Sequence, residues 1–254
     1  MTVSLDYEDY DLGSMTWEDA EVAVAGADFV VLPTGSVEQH STHLPVTVDT
    51  LRAENLTRIL VEAAPERNLS MIRLPTLPYG YSEHHMRLGG TVTLMADTYQ
   101  SVLEEIGQAV AEHDAERLMI VNFHGGNREP TKLAADRLQR DHNLPVFPIH
   151  WTDFAREQLQ ERFGENWGHA GDHETSILEL FHPDLVKTER KEPQTRIADF
   201  EARQYPYFDD ITEQGGLGDP TMADPEFIKG VVEETTQCIL DALINDIKQE
   251  SELT

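Results

Sequence analysis

The amino-acid sequence predicts an α/β protein with a mostly parallel sheet that is covered by helices on both faces. Apolar runs typical of buried strands alternate with segments whose apolar residues recur at helical spacing, and the links between them are short. Two of the apolar runs, at residues 29–35 and 117–123, lead directly into acidic, histidine or asparagine residues. Open parallel sheets bind ligands beyond the carboxyl ends of their strands, so both positions are candidates for a functional site.

The elements follow in chain order after an irregular lead-in over residues 1–14. Helices are predicted at 17–25, 49–64, 99–113, 129–141, 152–163 and 225–248, with another opening at 168–175; strands are predicted at 29–35, 71–74, 117–123 and 144–149, with a short β run at 91–94. No linker or internal repeat interrupts this order. We therefore predict a single domain over residues 1–254, with a long loop or interface segment at about 186–225.

Composition and charge disfavour several classes of partner. The chain carries 47 acidic against 19 basic residues, a net charge of -28, which disfavours nucleic acid and anionic membranes as partners. The same charge predicts a halophilic protein, since concentrated salt screens self-repulsion. With no transmembrane-length apolar run and no signal-peptide pattern over residues 1–11, we expect a cytoplasmic protein. The single Cys238 excludes an internal disulfide, and we expect its thiol to be packed.

Acidic and imidazole side chains are concentrated in three loops. Glu38 and His40 are two residues apart and point the same way on an extended backbone, and Asp49 follows a loop that can return toward them. His124 follows another strand, and a third group contains His169, His173 and Glu174. Such histidines and carboxylates could hold a pair of divalent ions with one carboxylate bridging, and these ligand types suit Zn or Mn.

Five separated blocks resemble the motifs of the creatininase-like amidohydrolases. In chain order they are Gly35-Ser36-Val37-Glu38-Gln39-His40 with Leu44-Pro45 and Asp49; Tyr79-Gly80 with Ser82, His85 and Gly90-Thr91; Asn122-Phe123-His124-Gly125-Gly126-Asn127; His169-Ala170-Gly171 with Glu174-Thr175-Ser176; and Gly218-Asp219-Pro220-Thr221 with Ala223. The resemblance spans residues 30 to 230. It implies a three-layer α/β/α domain, two divalent ions (Zn, Mn or Fe), hydrolysis of a non-peptide C–N bond in a small molecule, and a homohexamer.

The resemblance also implies roles for individual residues. The implied metal ligands are Glu38, His40, Asp49, His124 and Glu174, with Asp49 as the bridge. His169 is the implied catalytic acid/base, with capping of the following helix as the alternative. We expect His85 and Asn127 to contact substrate, although a structural hydrogen bond explains His85 equally well and Asn127 also suits bonding to nearby backbone. We expect His43 to stabilise its loop and His173 to be an exposed neighbour of Glu174.

The sequence departs from the creatinine-hydrolysing members after His124. Those members carry a tyrosine and a glutamate where this chain has Gly125 and Gly126. The Gly-Gly-Asn form resembles the branch that contains the archaeal formamide hydrolase of flavin and deazaflavin biosynthesis and a peptide-trimming mycofactocin maturase. We therefore predict a metal-dependent amidohydrolase acting on an amide or formamide. The alternatives are creatinine hydrolysis, peptide trimming and a metal-free binding protein. Ser41 and Gly89 replace an expected glycine and proline, which predicts shifted loop geometry.

Overall fold

A parallel sheet of four strands lies at the centre of the computed structural model, which describes residues 8–201 and 206–253. The strands are β1 (Phe29–Thr34), β2 (Met71–Arg73), β3 (Leu118–Asn122) and β4 (Val146–His150), in the order β2-β1-β3-β4. All three pairings are parallel. Because β1 and β3 are neighbours and Thr34 aligns with Asn122, the segments that follow these two strands begin side by side. This confirms the predicted parallel sheet.

Helices alternate with the strands along the chain, largely where the apolar spacing predicts them. They are α1 (Trp17–Gly26), α2 (Val48–Ala63), α3 (Ala96–Glu112), α4 (Arg128–His142), α5 (Trp151–Phe163), α6 (Asp172–Phe181) and α7 (Pro225–Leu253). The side-chain oxygen of Thr16 accepts a hydrogen bond from the main-chain nitrogen of Asp19, which caps α1 at its start. Among the described residues, no helix is both long enough and apolar enough to cross a membrane.

The helices form two layers, one on each face of the sheet. On one face, Val30 and Leu118 pack with residues of α1, α3 and α4. On the other face, Val31 and Met119 pack with residues of α2, α5, α6 and α7. Successive strand side chains point to opposite faces, so each strand contributes to both cores. The predicted three-layer α/β/α arrangement is confirmed.

Two local predictions are wrong. The segment 91–94 is not a strand, since Val92 makes only an isolated bridge to Val37. The hydroxyls of Thr91 and Thr93 instead accept hydrogen bonds from main-chain nitrogens of neighbouring loops, which replaces a strand ladder. Cys238 is exposed rather than packed, because it lies on the solvent side of α7.

Among its described residues, the segment 186–225 contains short 3-10 turns at Thr188–Arg190, Phe208–Asp210 and Pro220–Met222 and an isolated bridge between Arg196 and Thr212. Its residues 202–205, like residues 1–7 of the predicted lead-in, lie outside the described part of the chain. Several of its side chains line a cavity of about 490 Å³, so this long segment belongs to the candidate site. Its predicted role as an interface remains a prediction.

Candidate metal and catalytic site

The loop after β1 brings three of the predicted ligands together. The main-chain nitrogen of Glu38 donates a hydrogen bond to the carbonyl of Val46 (2.9 Å), which closes the loop and starts α2 beside the strand end. Gly35 permits this close approach, because a Cβ there would lie 2.6 Å from the main-chain nitrogen of Thr50. Ser41 has a φ of 56°, so the loop keeps a left-handed conformation that favours glycine.

The five predicted metal ligands form two sets that share Asp49. In one set, Nδ1 of His124 lies 3.1 Å from Oε2 of Glu38 and 3.2 Å from Oδ2 of Asp49. In the other, Nε2 of His40 lies 3.6 Å from Oδ1 of Asp49 and 3.5 Å from Oε2 of Glu174. The ligand atoms of each set lie within 4.8 Å of one another. Asp49 therefore offers one oxygen to each set, which is the arrangement of a bridging carboxylate.

The imidazoles of the site are oriented so that one nitrogen of each ring is free to ligate. Nδ1 of His40 donates to the carbonyl of Glu38 (3.1 Å), and Nε2 of His124 donates to the carbonyl of Tyr81 (2.8 Å). These main-chain acceptors specify the tautomer, leaving Nε2 of His40 and Nδ1 of His124 directed at the carboxylates. Histidines that bind metals are held in this way by their second nitrogen.

Burial adds a second argument that the site accepts cations. Glu38 is fully buried, and within the described residues neither carboxylate oxygen makes a hydrogen bond of normal geometry. Its nearest neighbours are imidazole nitrogens at 3.1 to 3.4 Å. A buried carboxylate is costly unless it is paired with positive charge. The donor atoms present therefore fit divalent cations, and a purely structural acidic cluster is disfavoured.

The electrostatics of the site favour bound positive charge. Burial lowers the pKa of His40, but Asp49 and Glu174 outweigh it and raise the pKa to about 9. Burial also lowers the pKa of His124, but Glu38 and Asp49 outweigh burial and raise this pKa well above its ordinary value. Burial alone would raise the pKa of Glu38, but the nearby His124 and His85 outweigh burial and lower this pKa below its ordinary value. The carboxyl of Glu38 is therefore ionised. The cluster attracts protons or metal ions to the same nitrogen atoms.

His169 lies beside the two sets. Its Nε2 donates to the carbonyl of Gln39 (2.7 Å), and its Nδ1 lies 3.4 Å from Oε1 of Glu38. Burial and the nearby His40 lower the pKa of His169, which favours the neutral ring. The loop that carries it is held by a hydrogen bond from the nitrogen of Leu217 to the carbonyl of His169 (2.7 Å). His169 also forms a third possible ligand set with Glu38 and His40.

The two predicted substrate contacts occupy different positions. His85 lines the cavity, but its Nδ1 accepts from the side chain of Gln39 (2.8 Å) and its Nε2 lies 3.4 Å from Glu38. Both nitrogens therefore face protein groups, and the ring is 1% exposed and stacked on Phe208, which fits the structural alternative. Asn127 follows its stated alternative, bonding to nearby backbone, and does not line the cavity. Its fully buried side chain donates to the carbonyl of Gly35 (3.0 Å) and accepts from the nitrogen of Tyr81 (2.8 Å), so it joins two loops.

The remaining histidines of the predicted loops, His43 and His173, are both buried. His43 is fully buried and its Nε2 lies 2.9 Å from Oγ1 of Thr175, as expected for a residue that stabilises its loop. His173 is not exposed, contrary to the prediction. It is 2% exposed, and its ring lies edge-on to Trp167 with centroids 5.0 Å apart, because the first turn of α6 points into the molecule.

A cavity of about 490 Å³ opens beside the two ligand sets. Its lining includes Glu38, Asp49, His124, His169 and Glu174, together with Arg52, His84, His150, Trp167, His173, Arg196, Phe200 and Phe208. The aromatic and imidazole rings give the cavity walls flat surfaces near the polar cluster. Charged and imidazole groups dominate the lining, and the aromatic rings of Trp167, Phe200 and Phe208 add apolar surface that can cover a small molecule.

Sequence reasoning missed Arg52 and Gln39. Arg52 is 1% exposed, and its Nη1 donates to Oδ1 of Asp49 (3.1 Å), to the carbonyl of Phe123 (3.2 Å) and to Oε1 of Glu174. Its spacing of three residues from Asp49 on a helix is a signal that could have identified it. Gln39 donates to Gly215 (2.8 Å) and to His85, but nothing in its local sequence predicts either partner.

Comparison with known proteins relates the whole site region to one family. A family profile described as "Creatininase: Creatinine amidohydrolase" matches residues 13–243. The chain is 30% identical over 198 residues to the creatinine amidohydrolase of Pseudomonas putida, which covers 70% of this chain and 74% of that protein. It is 31% identical over 210 residues to the mycofactocin precursor peptide peptidase of Mycobacterium tuberculosis, which covers 76% of each.

Solved creatininase structures have the same fold. A mutant creatininase of the Zn–Zn type has a TM-score of 0.84 with 25% identity and covers 94% of this chain and 99% of that chain. A mutant creatininase in complex with creatine has the same TM-score, identity and coverage of the two chains. A structure named "Creatininase Mn" has a TM-score of 0.81, with 25% identity and coverage of 94% and 99%.

Proposed function

The chain belongs to the creatininase family, and on this premise we propose that it is an amidohydrolase that holds two divalent metal ions. The observation that carries the proposal is the pair of ligand sets that share Asp49 through separate oxygens. Glu38, Asp49 and His124 would hold one ion, and His40, Asp49 and Glu174 the other. Ions bound there supply the Lewis acidity that activates water and polarises an amide oxygen.

His169 is the proposed acid/base. With Nε2 donating to the carbonyl of Gln39, its Nδ1 carries a lone pair directed toward Glu38 and the ligand sets. A neutral imidazole in this position can accept a proton as the amide is attacked and release it to the departing nitrogen. The amine needs that proton because an amide anion is a poor leaving group. Glu38 remains ionised, so it can accept a hydrogen bond from Nδ1 once the ring has taken up the proton.

Gly126 supports a substrate other than creatinine. A Cβ at this position would lie 2.1 Å from the carbonyl oxygen of Tyr81 and 2.5 Å from Nε2 of His124. The glutamate that creatinine-hydrolysing members carry here would therefore not fit without moving both groups. We propose instead an amide or formamide in a small molecule, of the kind cleaved in the formamide hydrolase step of archaeal flavin and deazaflavin biosynthesis.

Peptide trimming is a second candidate. It is favoured by the 31% identity to a mycofactocin precursor peptide peptidase and by a cavity of about 490 Å³, which has room for a terminal residue of a peptide. The two candidates use the same ligand sets and the same proton transfer. They differ only in what the walls formed by Trp167, Phe200 and Phe208 accept.

A substrate panel tests the proposal. The purified chain is loaded with Zn or Mn and incubated separately with an N-formylated aromatic amine, with creatinine and with short peptides. Formate, creatine and free amino acids are then measured. We expect formate release that Glu38→Gln and Asp49→Ala both abolish. Creatine or amino acids as the sole product would support the other activities, and metal binding with no turnover of any class would support a binding protein.

A further inference from the structure

Arg52 places a permanent positive charge beside one of the two ligand sets. A guanidinium stays protonated at any physiological pH, and a buried one persists only when it is paired. Within α2, Arg52 lies one turn after Asp49, and its Nη1 also contacts Oε1 of Glu174. Within the described residues, its Nε and Nη2 atoms are buried without a hydrogen-bond partner. The side chain is therefore held mainly by the two carboxylates.

This charge acts unequally on the two sets. Arg52 contacts Oδ1 of Asp49, the oxygen that faces His40, and it contacts the carboxylate of Glu174 in the same set. The other oxygen of Asp49 accepts from the hydroxyl of Ser36 (2.8 Å) and faces His124. Glu38 faces imidazoles instead. The set with His40 therefore has the guanidinium in contact with two of its three ligands, Asp49 and Glu174. The set with His124 shares only Asp49 with it, through the oxygen that Arg52 does not contact.

We infer that Arg52 is a positioning residue and internal counter-cation of the His40–Asp49–Glu174 set. It stabilises the metal-free protein and weakens divalent binding at this set, so the Glu38–Asp49–His124 set fills first. The inference rests on the two metal sites of the proposed function. Two effects oppose each other, because Arg52 also orients Glu174. Repulsion between a guanidinium and a divalent ion in a buried site exceeds the gain from one oriented hydrogen bond, so weakening prevails.

Stepwise metal binding tests the inference. The full chain is stripped with a chelator and titrated with Zn²⁺ by calorimetry, and bound zinc is counted by elemental analysis. We expect two steps whose affinities differ by at least about tenfold. R52Q removes the charge but keeps an amide donor for Glu174, and it should tighten the weaker step by about tenfold or more. R52K keeps the charge and should retain two separate steps.

Thermal unfolding supplies an independent readout. Metal-free R52Q should unfold at a lower temperature than the unchanged protein, and added Zn²⁺ should raise its unfolding temperature by a larger increment. If R52Q does not fold, E174Q carries the test, since it should remove the weaker step and leave the stronger one.

Each contrary outcome has a distinct meaning. The inference is overturned if the unchanged chain binds two ions with equal affinity, if R52Q leaves the weaker step unchanged or weakens it, or if E174Q removes the stronger step. Failure of the unchanged chain to bind any divalent ion would instead contradict the proposed function itself.

Discussion

Nδ1 of His124 lies 3.2 Å from Oδ2 of Asp49, although one residue follows a strand of the sheet and the other lies in a helix that covers it. His124 follows β3, and Asp49 belongs to the first turn of α2. The contact depends on the neighbouring positions of β1 and β3 and on the close packing of α2 against Gly35. It connects both ligand sets, because the same carboxylate also faces His40.

Replacing Asp49 by Asn should remove both ions, since each set loses a charged ligand. We expect the metal content to fall from two ions per chain toward none and the affinity of the remaining sites to fall by more than about 100-fold. Elemental analysis after desalting measures this. Asp136→Asn, at an exposed position on α4, is the matched control. Retention of both ions in Asp49→Asn would show that the carboxylate does not bridge.

His169→Ala should lower turnover while leaving metal content unchanged. Loss of a general acid/base lowers kcat by about 10² to 10⁴. The measurement pairs steady-state kinetics with zinc content, and exposed His142→Gln serves as the control. A parallel loss of metal would assign His169 to the third ligand set, with Glu38 and His40.

Gly126→Ala should destabilise the protein, whereas Gly125→Ala should not. A Cβ on Gly126 meets the carbonyl of Tyr81 and the ring of His124, but a Cβ on Gly125 meets nothing within 4 Å. Overpacking of this kind costs about 1 to 3 kcal/mol of unfolding free energy. Chemical denaturation of both variants measures the difference. Equal stability would mean that the loop after β3 relaxes freely.

His43 should make the protein sensitive to acid. Burial and the nearby Lys191 lower the pKa of His43 from 6.5 to about 4. Thr175 donates its hydroxyl hydrogen to Gly171, so Nε2 of His43 is the donor to Thr175 and its buried Nδ1 has no acceptor for a second proton among the described residues. Below pH 6.5 the unfolded chain binds a proton that the folded chain refuses. The contribution of His43 to stability is therefore complete above this value and is lost as pH falls toward 4.

His43→Gln tests this dependence, because the glutamine amide keeps a donor for Thr175. The unfolding free energy of the metal-free protein is measured between about pH 7 and pH 4.5, and the variant should show a slope shallower by about 1 kcal/mol per pH unit. His142→Gln is the control. An unchanged slope would mean that His43 binds its proton equally well in the folded and the unfolded chain.

Salt should stabilise the folded chain. With a net charge of -28, the compact state suffers self-repulsion that counter-ions screen. Raising KCl from about 0.1 M to about 2 M should raise the unfolding temperature by more than about 5 °C. Choline chloride should act similarly, since screening depends on ionic strength. A midpoint that stays constant or falls would contradict the halophilic prediction.

Much of the site could be predicted from local sequence. Apolar runs followed by Glu38, His40 and His124 predict ligands at the carboxyl ends of parallel strands, and the structure places them there. The burial of His173 was not predicted, because tertiary packing and not local residue type sets which face of α6 is covered. Asn127 was expected either to contact substrate or to bond nearby backbone, and its contacts with Gly35 and Tyr81, both remote in sequence, favour the second. Cys238 was expected to be packed and is exposed, since an apolar stretch does not specify which helix face is covered.

The sequence by itself determined the alternation of strands and helices, the parallel sheet and the chemical types of the ligands, since these depend on periodicity and residue order. Only the tertiary structure decided that Asp49 divides its oxygens between two sets and that Arg52 contacts one set more closely. It also decided which imidazole nitrogens are free. These features depend on distances of a few ångströms between residues remote in sequence, and hydrogen bonds and charge pairing at that range are set by packing rather than by local pattern.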